Sequence, residues 1–226
     1  MADSSEVLRA TGLCKRFGSQ RVIQSISLVC GRGEVALLLG ANGVGKSSFL
    51  RMLSGLARPD AGSIVLSSGA RVGFAAHHSF LYSKLSVSEN LRLYGSFLQI
   101  SKEHIESALE RWALKGYAKT PISQLSKGTL AKVSLVRAML GKPELLLLDE
   151  PSSNLDEASV ELLKQEIRSY SANGAAIVAT HDVSRLKEVA TRILVLQGAE
   201  GIIDSGAGAS PKARDEVIDR YYEANR

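Results

Sequence analysis

Apolar residues run along this chain in short unbroken blocks that stop abruptly at polar or glycine-rich turns. The clearest are EVALLLG at 34–40, ELLLLDE at 144–150, AAIVATHD at 175–182 and RILVLQG at 192–198. Blocks without alternation predict strands covered on both faces, as in a parallel sheet. Between them lie helix-like stretches, KSSFLRMLSGL at 46–56 and EASVELLKQEIRSYSANG at 157–174. The second carries apolar positions at helical spacing and Asn173-Gly174 as a stop signal. Strand alternating with helix predicts a doubly wound α/β core.

The N-terminal third follows another pattern. EVLRATGLCKRF and RVIQSISLVC alternate around glycine turns and predict antiparallel strands. Residues from about 86 to 140, rich in Leu, Ser, Lys and Glu, predict an entirely helical insertion between the first and later core strands. SPKARDEVIDRYYEANR predicts a terminal helix. The expected organisation is one domain over 1–226, with core lobes at 1–85 and 141–226 and a helical lobe at about 86–140.

Composition narrows this picture only modestly. The 226 residues are 45% hydrophobic but 5% aromatic, so the core is aliphatic. Basic residues exceed acidic ones, 28 − 23 = +5, and are spread along the chain. That spread favours a solvated surface over a nucleic-acid face. Cys14 and Cys30 lack CxxC spacing and read as free thiols of a reducing compartment. MADSSEVLRA lacks the apolar run of a signal peptide, and LLLL at 145–148 falls far short of a membrane span. The expectation is a cytoplasmic chain that reaches a membrane only through a partner.

The strongest chemical signal is GANGVGKS at 40–47, a full match to G-x-x-x-x-G-K-[ST] between an apolar strand and a helix. Gly40, Gly43 and Gly45 let the backbone curl so that its N–H groups face phosphate oxygens. Lys46 would reach the β- and γ-phosphates of a nucleotide, and the Ser47 hydroxyl would ligate Mg²⁺. In LLLLDEP at 145–151, Asp149 at the end of a buried strand can hold Mg²⁺ through water, and Glu150 can polarise an attacking water. The plainer alternatives are an ordinary glycine-rich turn and a helix-start acid. His181, in VATHD, stands at another strand end, where it could hydrogen-bond a γ-phosphate or simply cap a turn. In SQLSKGTLAKVSLVRAML at 123–140, Ser126 and Gly128 would form an anion site at a helix N-terminus, or a simple helix cap.

These four stretches, in this order, resemble the nucleotide-binding subunits of ABC transporters over nearly the whole chain. GANGVGKS resembles their Walker A and LLLLDEP their Walker B with catalytic glutamate. PSSNLD at 151–156 is similar to the D-loop, THD to the switch histidine and LSKGT at 125–129 to the LSGGQ signature. The resemblance implies a P-loop NTPase with a RecA-like core, an N-terminal antiparallel β lobe and an inserted helical lobe. It implies ATP and Mg²⁺ as cofactors, with Asn42 and Ser48 joining the loop residues around the nucleotide. Phe17, in KRFG, takes the place of the aromatic ring that stacks on adenine, with a core role as the alternative. The family works as head-to-tail dimers. Ser126, Gly128 and Asp156 would therefore serve the nucleotide between two copies, and a multi-span membrane permease would be driven by the pair. Lys127 and Thr129 depart from the usual Gly and Gln.

In VGFAAHHSFLYSKLSVSENL, His77 falls where the family usually has a nucleotide-sensing glutamine. A metal site would need three or four ligands, and none is spaced for it. His77 would then act in place of the glutamine, unless the loop couples through other atoms; His78 has no assigned role. His77 and the LYSKLSVSENLRLYGSF stretch also resemble the ATPase subunits of bacterial haem exporters for cytochrome c maturation, which implies haem as cargo. The alternatives are export of another small molecule or lipid, and a soluble ABC-type ATPase without a membrane partner. An unrelated P-loop kinase or GTPase leaves LSKGT unexplained.

Overall fold

The computed structural model describes residues 5–76, 80–198 and 201–224, so His77 and His78 lie outside the described residues. Two long strands, β1 (Glu6–Phe17) and β2 (Gln20–Gly31), pair antiparallel, and β4 (Ala61–Leu66) joins the other edge of β1. The second sheet is built from β3 (Val35–Leu39), β5 (Val72–Ala75), β6 (Leu145–Asp149), β7 (Ala175–Ala179), β8 (Arg192–Leu196) and β9 (Ile202–Asp204). Its order is β5-β6-β7-β3-β8-β9, parallel except for the antiparallel β9.

The unbroken apolar runs have a direct cause: both faces of this sheet are dry. Val35, Leu37 and Leu39 join Leu146, Leu148, Ala176 and Val178 in one core. Ala36, Leu38, Leu145, Leu147 and Ile177 belong to the other. Phe49, Leu50, Met52 and Leu53 of α1 (Lys46–Leu53), with the inner side chains of β1 and β2, complete the second core. Five helices cover the first: α2 (Val87–Phe97), α3 (Lys102–Arg111), α4 (Lys127–Met139), α5 (Glu157–Ser171) and α6 (Pro211–Ala224).

Local chemistry sets where the helices begin. Ser86 and Glu89 form a capping box at α2. Ser101, Ser126 and Asp156 each accept a backbone N–H at the first turn of α3, α4 and α5, satisfying donors that have no intrahelical partner.

Two features differ from expectation. Residues 86–140 are not continuously helical: Gln99 and Ala113 adopt positive φ (56° and 53°), and 3₁₀ turns occupy Lys115–Tyr117 and Ile122–Gln124. Pro121 contributes, because it cannot donate a helical hydrogen bond and disfavours the helical region before it. Two strands lie outside the long apolar blocks, the largely exposed β4 and the three-residue β9. Among the described residues no helix is long and apolar enough to cross a membrane.

Candidate functional site

The functional side chains gather at the carboxyl ends of the parallel strands, where a doubly wound sheet leaves a crevice. The chain leaves β3 at Gly40 and turns through Gly43 and Gly45, all three with positive φ, before α1 starts at Lys46. At Gly40 only glycine fits: a Cβ there would sit 2.7 Å from the Leu196 carbonyl oxygen. Lys46 is buried, and its ammonium donates to the carbonyls of Gly40 (2.7 Å) and Ala41 (3.1 Å). Burial pulls its pKa below the ordinary lysine value, while the Glu150 and Asp149 carboxylates oppose that shift. Asn42, Gly43 and Ser47 are exposed, and Ser48 is half-buried at the start of α1.

Asp149 ends β6 and Glu150 follows it with φ at 52°, a left-handed conformation that costs a non-glycine residue about 1–3 kcal/mol. The Glu150 N–H donates to the Ala179 carbonyl at 2.9 Å, tying the strained residue to the end of β7. His181, just beyond β7, brings Nδ1 to 2.8 Å from Glu150 Oε2. Buried Thr180 shapes that turn by accepting the Asp182 N–H on its hydroxyl at 3.1 Å. The two side chains expected to act separately therefore form one close pair, with the histidine the more exposed partner (61% against 25%).

Ser126 stands at the exposed start of α4 and accepts the Thr129 N–H at 3.2 Å. This is the simple cap weighed above, and it leaves the residue facing solvent. A Cβ on Gly128 would come within 2.9 Å of the Asn154 carbonyl oxygen, so the LSKGT and PSSNLD segments touch backbone to backbone. Lys127, Asp149, Glu150, Ser153 and Asn154 line a cavity of about 210 Å³ at this junction. Asp156 is held well below the usual carboxylate range, at about 2, chiefly by its hydrogen bonds from Ser159 and then by Lys132.

Phe17, at the end of β1, is 55% exposed rather than part of the core, and Lys15 Nζ lies 5.8 Å from its ring centroid. An exposed aromatic ring at this strand end suits stacking on a base. Hydroxyl and carboxylate oxygens at Ser47 and Asp149 are hard donors of the kind Mg²⁺ takes, so the donor set fits that ion.

A family model described as "ABC transporter" matches residues 23–153, from β2 past Glu150. The chain belongs to the ABC transporter family. It has that family's ATPase fold and is an ATP-binding, ATP-hydrolysing subunit. This ABC subunit is 32% identical to "Nod factor export ATP-binding protein I" of Rhizobium johnstonii, across 85% of this chain and 67% of the relative. It is 31% identical to the protein of that name from Bradyrhizobium diazoefficiens, across 98% of this chain and 75% of the relative. Among solved structures, "Structure of ATP binding subunit of ABC transporter" superposes with a TM-score of 0.82 at 25% identity, covering 96% of this chain and 98% of the other.

Two contributors to the ABC site carried no sequence signal. Arg185 donates to the carbonyls of Ser152 and Leu155 (the latter at 3.1 Å), so a residue beyond β7 holds the segment after Glu150. Tyr221 of α6 donates its hydroxyl to the Gly40 carbonyl at 3.3 Å. Nothing in SRLK or DRYYEA marks either residue as belonging to a nucleotide site.

Proposed function

We propose that this chain is the motor of a membrane exporter. Two copies bind two Mg-ATP head to tail, hydrolyse them and drive a separate multi-span permease from the cytoplasmic face. The observation that carries this reading is the convergence, at one row of strand ends, of buried Lys46 with the Glu150–His181 pair.

In this reading the adenine stacks on Phe17. The phosphates lie over the backbone N–H groups of 40–47, with Asn42 and Ser48 at the rim and the positive end of α1 behind them. Ser47 and Asp149 hold Mg²⁺, which when bound neutralises charge on the phosphate oxygens. Glu150 accepts a proton from the attacking water as its oxygen bonds to the γ-phosphorus and the bond to the β-phosphate bridging oxygen breaks, giving ADP and phosphate. His181 orients that carboxylate through Nδ1 and presents the rest of its ring to the γ-phosphate. Ser126, Gly128 and Asp156 of each copy face the nucleotide of the other, consistent with their exposed or surface positions here.

A membrane partner is supported by exposed aromatic surface around the end of β5. Phe80, Tyr82 and Phe97 are 40%, 55% and 73% exposed, the kind of patch a partner covers. Export as the direction is supported by the relatives named for Nod factor export. Haem as cargo draws no support from them and rests on the resemblance of His77 and the LYSKLSVSENLRLYGSF stretch, so the cargo is proposed only as a substance moved outward. The relatives' names also favour a transport subunit over a soluble ABC-type ATPase. The test is fractionation of native membranes followed by affinity isolation of this chain. A multi-span protein should co-purify and raise ATP turnover when reconstituted. Recovery of the chain free of any membrane protein, with turnover indifferent to bilayers, would overturn the exporter reading.

A further inference from the structure

We infer that Tyr221 is a positioning residue for the phosphate loop, holding the Gly40 carbonyl so that Lys46 is free to engage nucleotide. The inference rests on the ATPase reading above and adds to it a residue from the far end of the chain.

The Gly40 carbonyl receives two donors, the Lys46 ammonium at 2.7 Å and the Tyr221 hydroxyl at 3.3 Å. A carbonyl oxygen has two lone pairs, so both can be served at once. Gly40 is buried, and its peptide starts the turn whose N–H groups must face the phosphates. When Lys46 turns toward a phosphate, a buried carbonyl with no other donor would be left bare, and an unsatisfied buried acceptor is costly. Tyr221 removes that cost because its hydroxyl stays.

The geometry behind Tyr221 is firm. Ile218, one turn earlier on α6, is buried in the helical-side core, and Val217 packs against the same core. Asp215 pairs with Lys187 at 2.7 Å, tying α6 to the segment that precedes β8. The Tyr221 ring stands 5.3 Å from that of Tyr222, centroid to centroid. Burial lifts the Tyr221 phenol above its ordinary value, so it remains a donor at neutral pH.

The experiment uses the full chain and measures ATP and ADP affinity by titration calorimetry, with KM and kcat for hydrolysis alongside. Tyr221→Phe keeps the ring and removes the hydroxyl; Tyr222→Phe, on the exposed neighbour, is the control. Tyr221→Phe should weaken both nucleotides and raise KM by about 5- to 150-fold, the range set by one bare buried acceptor. Turnover at saturating ATP should stay within about twofold, because a residue that acts through loop binding leaves the chemical step alone. Tyr222→Phe should change neither. Unaltered affinity in Tyr221→Phe, an equal loss in Tyr222→Phe, or a fall in kcat at constant KM would each overturn the inference. Lys46→Ala reports on the underlying reading separately. A parent that binds ATP and loses it in Lys46→Ala supports the ATPase assignment whatever Tyr221 does, and a parent that binds none overturns both.

Discussion

The two faces of the six-stranded sheet are supplied by the same strands, residue by residue in alternation, yet they are covered very differently. On one side α1 and the antiparallel sheet close a core of aliphatic side chains around Phe49, Leu50 and Leu53, which are at most 1% exposed. On the other, five helices leave room for charge. Arg137 of α4 donates to the Phe74 carbonyl and lies over the rings of Phe80 and Tyr94, at 5.5 and 5.3 Å. Arg111 of α3 pairs with Glu166 of α5 at 2.6 Å, across a cavity of about 550 Å³ that Trp112 and Tyr170 also line. A close-packed aliphatic face is suited to hold one arrangement and act as a platform. A face that also carries a cavity and cross-helix ion pairs is suited to act as a joint. The nucleotide residues lie on the edge shared by both.

The largest expected effect tests whether that edge works independently of its supports. Glu150→Gln should lower ATP turnover by about 10²–10⁴, the range for losing a general base, while calorimetric ATP affinity holds. Retained turnover would place the base elsewhere. Next comes the platform. Phe49→Ala should cost about 3–5 kcal/mol in urea unfolding, and a loss below about 1 kcal/mol would show that this face is not tightly packed. The joint should give less. Arg137→Met leaves the Phe74 carbonyl without its guanidinium and should cost about 1–3 kcal/mol by the same measurement. A cost matching that of Phe49→Ala would erase the distinction between the faces.

The smallest effect is a pH dependence at Glu166. Burial raises its carboxyl above the ordinary value of 4.5, against the opposing pull of Arg111. The folded chain therefore holds this proton to higher pH than the unfolded chain does. Its contribution to stability is fully present below the unfolded value and is lost as pH rises through the folded one. Glu166→Gln should remove that dependence, so the variant should gain on the parent as pH climbs from 4 to 7 in parallel unfolding curves. Parallel pH profiles would show that Arg111 already balances the burial.

What the sequence disclosed follows the same division. β3, β6, β7 and β8 were legible because burial on both faces forces unbroken apolar runs. β4 was not, because it is an exposed edge whose partner supplies the pattern, and β9 is too short to show a period. The helical insertion was legible as a region but not in its joints, where Gln99 and Ala113 take up left-handed conformations that nothing in their residue type announces. Within the site, GANGVGKS was readable because its chemistry is local to eight consecutive residues. The Glu150–His181 pair, the Arg185 ties and the Tyr221 contact were not, since each joins segments that only the sheet order brings together.

The contact between Gly128 and Asn154 has one more consequence. Because main chain meets main chain there, position 128 is sensitive first of all to volume. The start of α4 and the stretch after Glu150 therefore abut at this point, and a side chain at position 128 would force one of them to shift. The two segments therefore mesh like gear teeth, and even a methyl group at position 128 would jam them.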